Sequence, residues 1–242
     1  LYREWYKNGQ LEIEGMYEER TYTDKDNARI GLWKTWYENG QLASEGNYVK
    51  IWSLRCCPGK EDGLWKYWDE NGQLQSESNY IKEADAAAIA QNPDAKDVYV
   101  FTSIRKEWYE NGQLKTEGHY KNDCVTGLWR GYDSKGQLIW EYNYAWIYGD
   151  KSSGIINFDK SHHKHNKDGL CREWTKNGVL IKEINWSNNK ENGLYREWYK
   201  NGQLEIEGMY DGSNGERFSS KIGLWKTWHE NGQLRTEGNY VN

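Results

Sequence analysis

The chain of 242 residues carries a net charge of −5 and a pI near 5.7, which counts against nucleic acid and anionic lipid as main partners. Its 15 Trp and 19 Tyr stand against 3 Phe, a balance suited to half-covered positions, and no apolar run approaches the roughly 20 residues of a membrane-spanning helix. Cys56, Cys57, Cys124 and Cys171 show no paired spacing, so a reducing, intracellular setting is expected in place of a secreted disulfide framework.

The chain opens on "LYREWYKNGQLEIEGMY", and the same 17 residues return at 194–210. Aligned on the Gly of Asn-Gly or its equivalent, eight modules follow one another, centred on Gly9, Gly40, Gly72, Gly112, Gly136, Gly178, Gly202 and Gly232. They cover about 1–17, 31–48, 63–80, 103–120, 127–144, 169–186, 193–210 and 223–240, in one repeat domain spanning 1–242. A Leu lies two residues after each Gly, and Tyr or Trp lies eight after it. Because Leu1 falls inside a module, the natural sequence is expected to continue upstream.

Asn-Gly between aromatic-rich runs predicts a two-residue hairpin turn in which both turn residues take positive φ. That register sets a basic residue opposite a Glu in every module: Arg3–Glu14, Lys34–Glu45, Lys66–Glu77, Lys106–Glu117, Arg130–Glu141, Arg172–Glu183, Arg196–Glu207 and Lys226–Glu237. Such pairs contribute about 0.2–1 kcal/mol each and serve mainly to fix register. The same register puts Tyr2 opposite Gly15, Trp33 opposite Gly46 and Trp225 opposite Gly238, with each ring expected to cover its cross-strand Gly. The pattern lapses at Arg105–Gly118, Trp129–Tyr142 and Cys171–Ile184. One face should carry Trp33, Tyr37, Leu42 and Tyr48, and the other Lys34, Trp36, Glu45 and Asn47.

An isolated hairpin is marginal in water, so stacking on neighbours must stabilise the array. The expected fold is all-β: eight tandem antiparallel hairpins in an elongated, twisted single-sheet meander, with long loops along one edge. Residues 1–49 and 194–241 each hold two modules, and "IGLWKTWYENGQL" at 30–42 returns as "IGLWKTWHENGQL" at 222–234. The repeated unit is therefore a pair of hairpins, while the connectors inside each pair differ.

The string G-L-W-x-x-W-Y-x-N-G-Q-L-x-x-E-G-x-Y resembles the MORN-repeat variant of the bacterial YwqK-type antitoxin family. The resemblance runs from Leu1 to about Tyr240. It implies non-catalytic hairpin arrays used for binding, with a toxin as partner for the antitoxin members and membrane or scaffold association for the founding MORN proteins.

Connectors between modules run 13, 14, 22, 6, 24, 6 and 12 residues, all on the edge opposite the Asn-Gly turns. Six is what the fold needs. The longer ones either form a binding face or are insertions that a surface tolerates at about 0.6 kcal/mol per doubling of length. In the insert 81–102, Asp85 before "AAAIAQ" predicts a short capped helix and "VYVF" at 98–101 a strand. The insert 145–168 carries Trp146, Tyr148 and Phe158, which either anchor a partner or cover a neighbouring hairpin. Trp52, Arg55, Tyr99 and Phe101 complete the candidate protein-binding set. His162, His163 and His165, with Cys171, are the metal-like group, set against a solvated polar loop. Cys56-Cys57 lacks CxxC spacing.

No GxSxG, HExxH or P-loop motif is present, and the recurring carboxylates each have a basic partner. No enzyme activity and no cofactor are expected. The reading is a scaffold that binds a protein through its connectors and aromatic surface, in the form of an antitoxin-like or immunity-like blocker. The alternative is a structural component of a larger assembly, such as a virion or envelope-associated lattice. Peripheral membrane binding stands third, because the repeat cations are already matched by Glu.

Overall fold

A computed structural model describes residues 1–18, 28–50, 59–84, 99–145, 166–213 and 219–241. Among them there are strands and turns and no helix. The chain is all-β, and its strands pair antiparallel in an open hairpin meander. Contacts divide it into two compact units: Leu1–Leu114 with Tyr120–Asp123, and Lys115–His119 with Cys124–Asn242.

The first unit runs β1 (Tyr2–Trp5), β2 (Leu11–Glu18), β3 (Ala28–Trp36), β4 (Leu42–Val49), β5 (Lys60–Trp68), β6 (Leu74–Ala84) and β7 (Tyr99–Trp108), each paired with the next. Strand β8 (Leu114–Lys121) has residues in both units. The second unit begins with β9 (Cys124–Tyr132), β10 (Leu138–Ala145) and the two-residue β11 (Asn166–Lys167). It continues through β12 (Gly169–Trp174), β13 (Leu180–Ser187) and β14 (Lys190–Trp198) to β15 (Leu204–Asp211), β16 (Ser220–Trp228) and β17 (Leu234–Tyr240). β10 pairs with both β11 and β12, and β12 to β17 then pair in order.

The Asn-Gly turns depart from the two-residue form. Tyr37 N–H donates to the Gln41 carbonyl and Gly40 N–H donates to the Tyr37 carbonyl, both at 2.9 Å, and the same two bonds recur in all eight modules. The Gly takes φ between 78° and 88°, whereas none of the preceding residues has positive φ. This is a type I turn closed by a left-handed Gly, a three-residue loop. Trp36 consequently faces Leu42, one residue off the two-residue register, and a bulge between Trp36 and Thr35 restores it. Beyond the bulge the expected pairs reappear. Of the eight basic–acidic pairs, seven lie within one unit or the other, and all seven face each other. The Asn39 side chain also accepts from Gln41 N–H at 2.9 Å, which is why Asn suits the position.

Two-residue turns with positive φ occur instead on the opposite edge, at Asn122-Asp123 and Asn188-Asn189. These are the six-residue connectors, so the minimal link between hairpins is itself a tight hairpin. Insert 81–102 is shorter as a loop than its sequence suggests. Residues 81–84 continue β6 and 99–102 begin β7, paired from Ile81↔Thr102 to Ala84↔Tyr99. The strand expected at 98–101 is thus found from Tyr99 onward, and the helix expected after Asp85 lies outside the described residues.

Aromatic rings settle on a different glycine from the one expected. In backbone register Trp33 does face Gly46. Its ring, however, lies on Gly15 of the preceding hairpin, where a Cβ would sit 2.1 Å from it. Trp65 covers Gly46, Trp129 covers Gly118 and Trp225 covers Gly208 in the same way, at 2.0–2.1 Å. A ring projecting back over a neighbour welds hairpin to hairpin, which a within-hairpin contact cannot do. Gly131 under Trp140 is the one close approach of the expected within-hairpin kind among the described glycines.

This rule also resolves the lapses. Across the seven junctions, Gly15, Gly46, Gly118 and Gly208 are each followed by a Trp in the next module. Where the small residue is lost, at Ser78, Tyr142 and Ile184, the next module offers Arg105, Cys171 and Tyr195 instead. Large meets small at each junction with Gly, and Trp never meets a side chain.

Candidate functional site

The Trp face is closed on itself. Tyr2, Tyr17, Trp33, Tyr48 and Trp65 run in edge-on contact, with centroids 4.9–6.1 Å apart. Trp33 is 3 % exposed. The Arg29 guanidinium lies 4.6 Å from the Trp33 ring, and Lys221 repeats the contact on Trp225 at 4.2 Å. The indole N–H groups of Trp65, Trp129 and Trp225 donate to Asn47, His119 and Met209 carbonyls at 2.9–3.1 Å. With faces and polar tips both engaged, these repeat aromatics serve the array and are not a docking surface.

The turn edge is likewise self-satisfied. Tyr6, Tyr37 and Tyr199 hydroxyls donate to the carbonyls of Trp36, Trp68 and Trp228 in the next module, at 2.7–2.9 Å. Beside them Asn8, Asn39 and Asn201 donate to Glu38, Glu70 and Glu230 carbonyls at 2.7–3.0 Å. In sequence, Y-x-N-G reads as a turn signal alone. The recurrence of Tyr beside a solvent-facing turn was the signal for this sideways zipper.

On the opposite face the charge pairs extend between hairpins as well as within them. Glu14 faces both Arg3 and Lys34, Glu45 faces Lys34 and Lys66, and Glu207 faces Arg196 and Lys226. In the second unit Arg130, Glu141, Arg172, Glu183, Arg196 and Glu207 form a ladder whose successive contacts alternate between 2.7–2.9 Å and 3.7–3.8 Å. A cation flanked by two carboxylates has little field left for an anionic partner.

Two residues from each ladder cation, on the connector side, the same face carries aliphatic residues. Leu32, Leu64 and Ile104 in the first unit and Leu224 in the second are 40–50 % exposed. Met16 and Met209, on the adjoining strands, stand out similarly and face Ile30 and Ile222. Sequence alone sets apolar groups on both faces without marking this row.

The described titratable groups are arranged for packing. Burial pushes the Cys171 thiol up, which keeps it protonated, and burial followed by the hydrogen bond to Glu117 pushes Tyr132 up to about 12. Among the described residues no group of three or more His, Cys, Asp or Glu gathers as a metal site. His162, His163, His165, Cys56, Cys57, Trp52, Arg55, Trp146, Tyr148 and Phe158 lie outside the described residues. Tyr99 is placed as the first residue of β7. Phe101 is half-buried, its backbone exchanging hydrogen bonds with Asn122 at 2.7 and 2.9 Å and its ring 5.7 Å from Lys60 Nζ. It braces the connector edge.

The "MORN repeat variant" family matches residues 1–19, 29–50, 61–82, 102–122, 167–188, 191–211 and 221–242. The chain belongs to this MORN repeat variant family. The matched stretches are seven of the eight hairpin modules, and the module at 127–144 falls outside them. A search of curated proteins finds no match. Among solved structures, "TcdB2-TccC3-TEV" matches at 12 % identity and a TM-score of 0.24, covering 94 % of this chain and 12 % of that one. "TcdB2-TccC3" matches at 11 % identity and a TM-score of 0.21, covering 93 % of this chain and 13 % of that one. The MORN array is a repeat scaffold, and its solvent-facing apolar groups gather on the ladder face beside the connectors.

Proposed function

We propose that this MORN array is a non-catalytic scaffold that binds a protein partner on the connector side of its ladder face. The observation that supports this reading is the exposed aliphatic row of Met16, Leu32, Leu64 and Ile104, with Met209 and Leu224 repeating it. The Trp face and the turn edge spend their polar and aromatic groups internally, whereas this row does not. Exposed apolar residues in register along a sheet, rimmed by matched charges, suit a protein surface better than a lipid headgroup. The specific form favoured is a blocker that covers an active surface of its partner, in the manner of an antitoxin or immunity protein. The connectors border the row and would supply the specificity.

The test is affinity capture from the native source with three chains: intact, Leu32→Lys/Leu64→Lys/Leu224→Lys, and one with 85–98 and 146–165 shortened. Circular dichroism checks that each remains β-folded. A discrete partner held by the intact chain and lost from the triple variant supports the reading. A partner lost from the shortened chain alone moves the site to the connectors. Fractionation with large particles, insensitive to both changes, would favour a structural role in an assembly.

A further inference from the structure

The two near-identical hairpin pairs carry the same outer edge in two states. In the first, β4 is covered by β5: Trp65 lies on Gly46, Lys66 faces Glu45, and Asn39 donates to the Glu70 carbonyl of the next turn. In the second, β17 offers the matching groups uncovered. Nothing lies within 4 Å of a Cβ built on Gly238, alone among the described glycines at this position. Every residue of β17 is exposed, and among the described residues no strand pairs with its outer side. Glu237 ends the charge ladder with Lys226 on one side only, at 2.9 Å. Asn231 holds the place of Asn39, its side chain accepting from Gln233 N–H at 3.1 Å.

We infer that the outer edge of β17 is a docking site for a strand of a partner's repeat hairpin that presents Trp followed by Lys or Arg, as β5 presents Trp65-Lys66 to β4. The strand adds antiparallel to the edge. Its Trp lies flat on Gly238, its cation completes the ladder at Glu237, and its turn carbonyl receives the Asn231 amide. His229 stands where Tyr37 stands in the covered pair, so the docked strand lacks the tyrosine hydroxyl bond that holds Trp68. The contact is therefore weaker and more reversible than the internal β4–β5 junction. This site is a strand edge, separate from the aliphatic row, and stands whether or not that row binds a partner.

The probe is a fluorescent peptide of residues 60–80, the β5–β6 hairpin, titrated into the intact chain and followed by anisotropy. Sedimentation velocity of the chain alone runs beside it. Expected is saturable binding, lost by at least tenfold with Gly238→Ala, whose methyl occupies the ring's place while touching nothing in the free chain. Glu237→Lys should weaken binding similarly, and the same peptide carrying Lys66→Glu should recover it. Circular dichroism and melting of both variants should match the parent. No saturable binding, or binding indifferent to Gly238→Ala, overturns the site. Self-association of the chain that Gly238→Ala abolishes overturns the assignment to a Trp-bearing partner and gives the edge to Tyr2-Arg3 of a second copy.

Discussion

Residues 1–49 and 194–241 are almost one sequence in two surroundings. Their aromatic triads agree closely: Tyr2, Tyr17 and Trp33 lie 5.0–6.1 Å apart, and Tyr195, Tyr210 and Trp225 lie 5.0–5.8 Å apart. Their first turns reach their second turns through the same Tyr and Asn donors. The two regions part at the last strand. Ser44 in β4 is buried while Thr236 in β17 is exposed, and Leu42 is half-buried while Leu234 is 52 % exposed. What a module buries on its outer side is thus decided by the module that follows, as expected where stability sums over nearest-neighbour interfaces. A Gly-x-Tyr strand carries no intrinsic burial; it carries a seat.

The largest expected effect comes from filling that seat. Gly46→Ala and Gly208→Ala should each destabilise by about 1–3 kcal/mol, because the Trp ring has to leave its place. Gly238→Ala should change stability by no more than about 0.5 kcal/mol, the usual range for a surface substitution away from special features. Urea unfolding of the three variants checks this, and equal losses would break the comparison.

Next is the turn zipper. Tyr37→Phe removes the 2.7 Å bond to the Trp68 carbonyl and should cost about 0.5–1.5 kcal/mol. His229→Phe, at the matching position, should be near neutral. Thermal melting of the pair reads the difference.

High pH acts through the covered tyrosines. Tyr132 in the folded chain keeps its proton to about 12, while an unfolded tyrosine releases it near 10.0. Its contribution is therefore full below pH 10 and is lost as pH rises from there toward 12. Burial raises Tyr48, Tyr80 and Tyr210 in the same direction. Urea midpoints should fall above about pH 10, and Tyr132→Phe should flatten that fall.

The smallest effect is at the acid end. In the third turn Asp69 accepts from Gln73 N–H and Asn71 N–H, each at 2.9 Å, and these bonds hold its carboxyl below the usual range. The stability it contributes is present above the unfolded carboxyl pKa of 3.8 and is lost as pH falls through the lower folded value. Asp69→Asn, which keeps an acceptor as Asn39 does, should remove that acid dependence. Amide exchange at Gln73 between about pH 5 and 3 reports it.

Much of this was legible in the sequence because period-two alternation and a repeated turn leave one register that satisfies every module. All seven charge pairs within the units follow from it. Turn type was misread because Asn-Gly serves two loops, and the bulge that reconciles them falls in an ordinary stretch, Thr35-Trp36. The direction of the Trp rings was missed for a related reason. Trp33 faces Gly46 and covers Gly15, and register alone reports the first. The signal was nonetheless in the chain, since Ser78, Tyr142 and Ile184 are followed by Arg105, Cys171 and Tyr195 and never by Trp. The aliphatic row was hidden by exposure, which depends on which face the Trp residues close.

Hydrogen exchange along β4 and β17 tests the central claim most directly, because the strands share Gly-Gln-Leu and Glu-Gly-Asn-Tyr and differ in what lies outside them. The account predicts slow exchange throughout residues 42–48. Along 234–240 it predicts fast exchange at each amide that points away from β16. Equal protection of the two strands in dilute solution would mean that each hairpin pair holds itself together, and would contradict the idea that the next module supplies the burial.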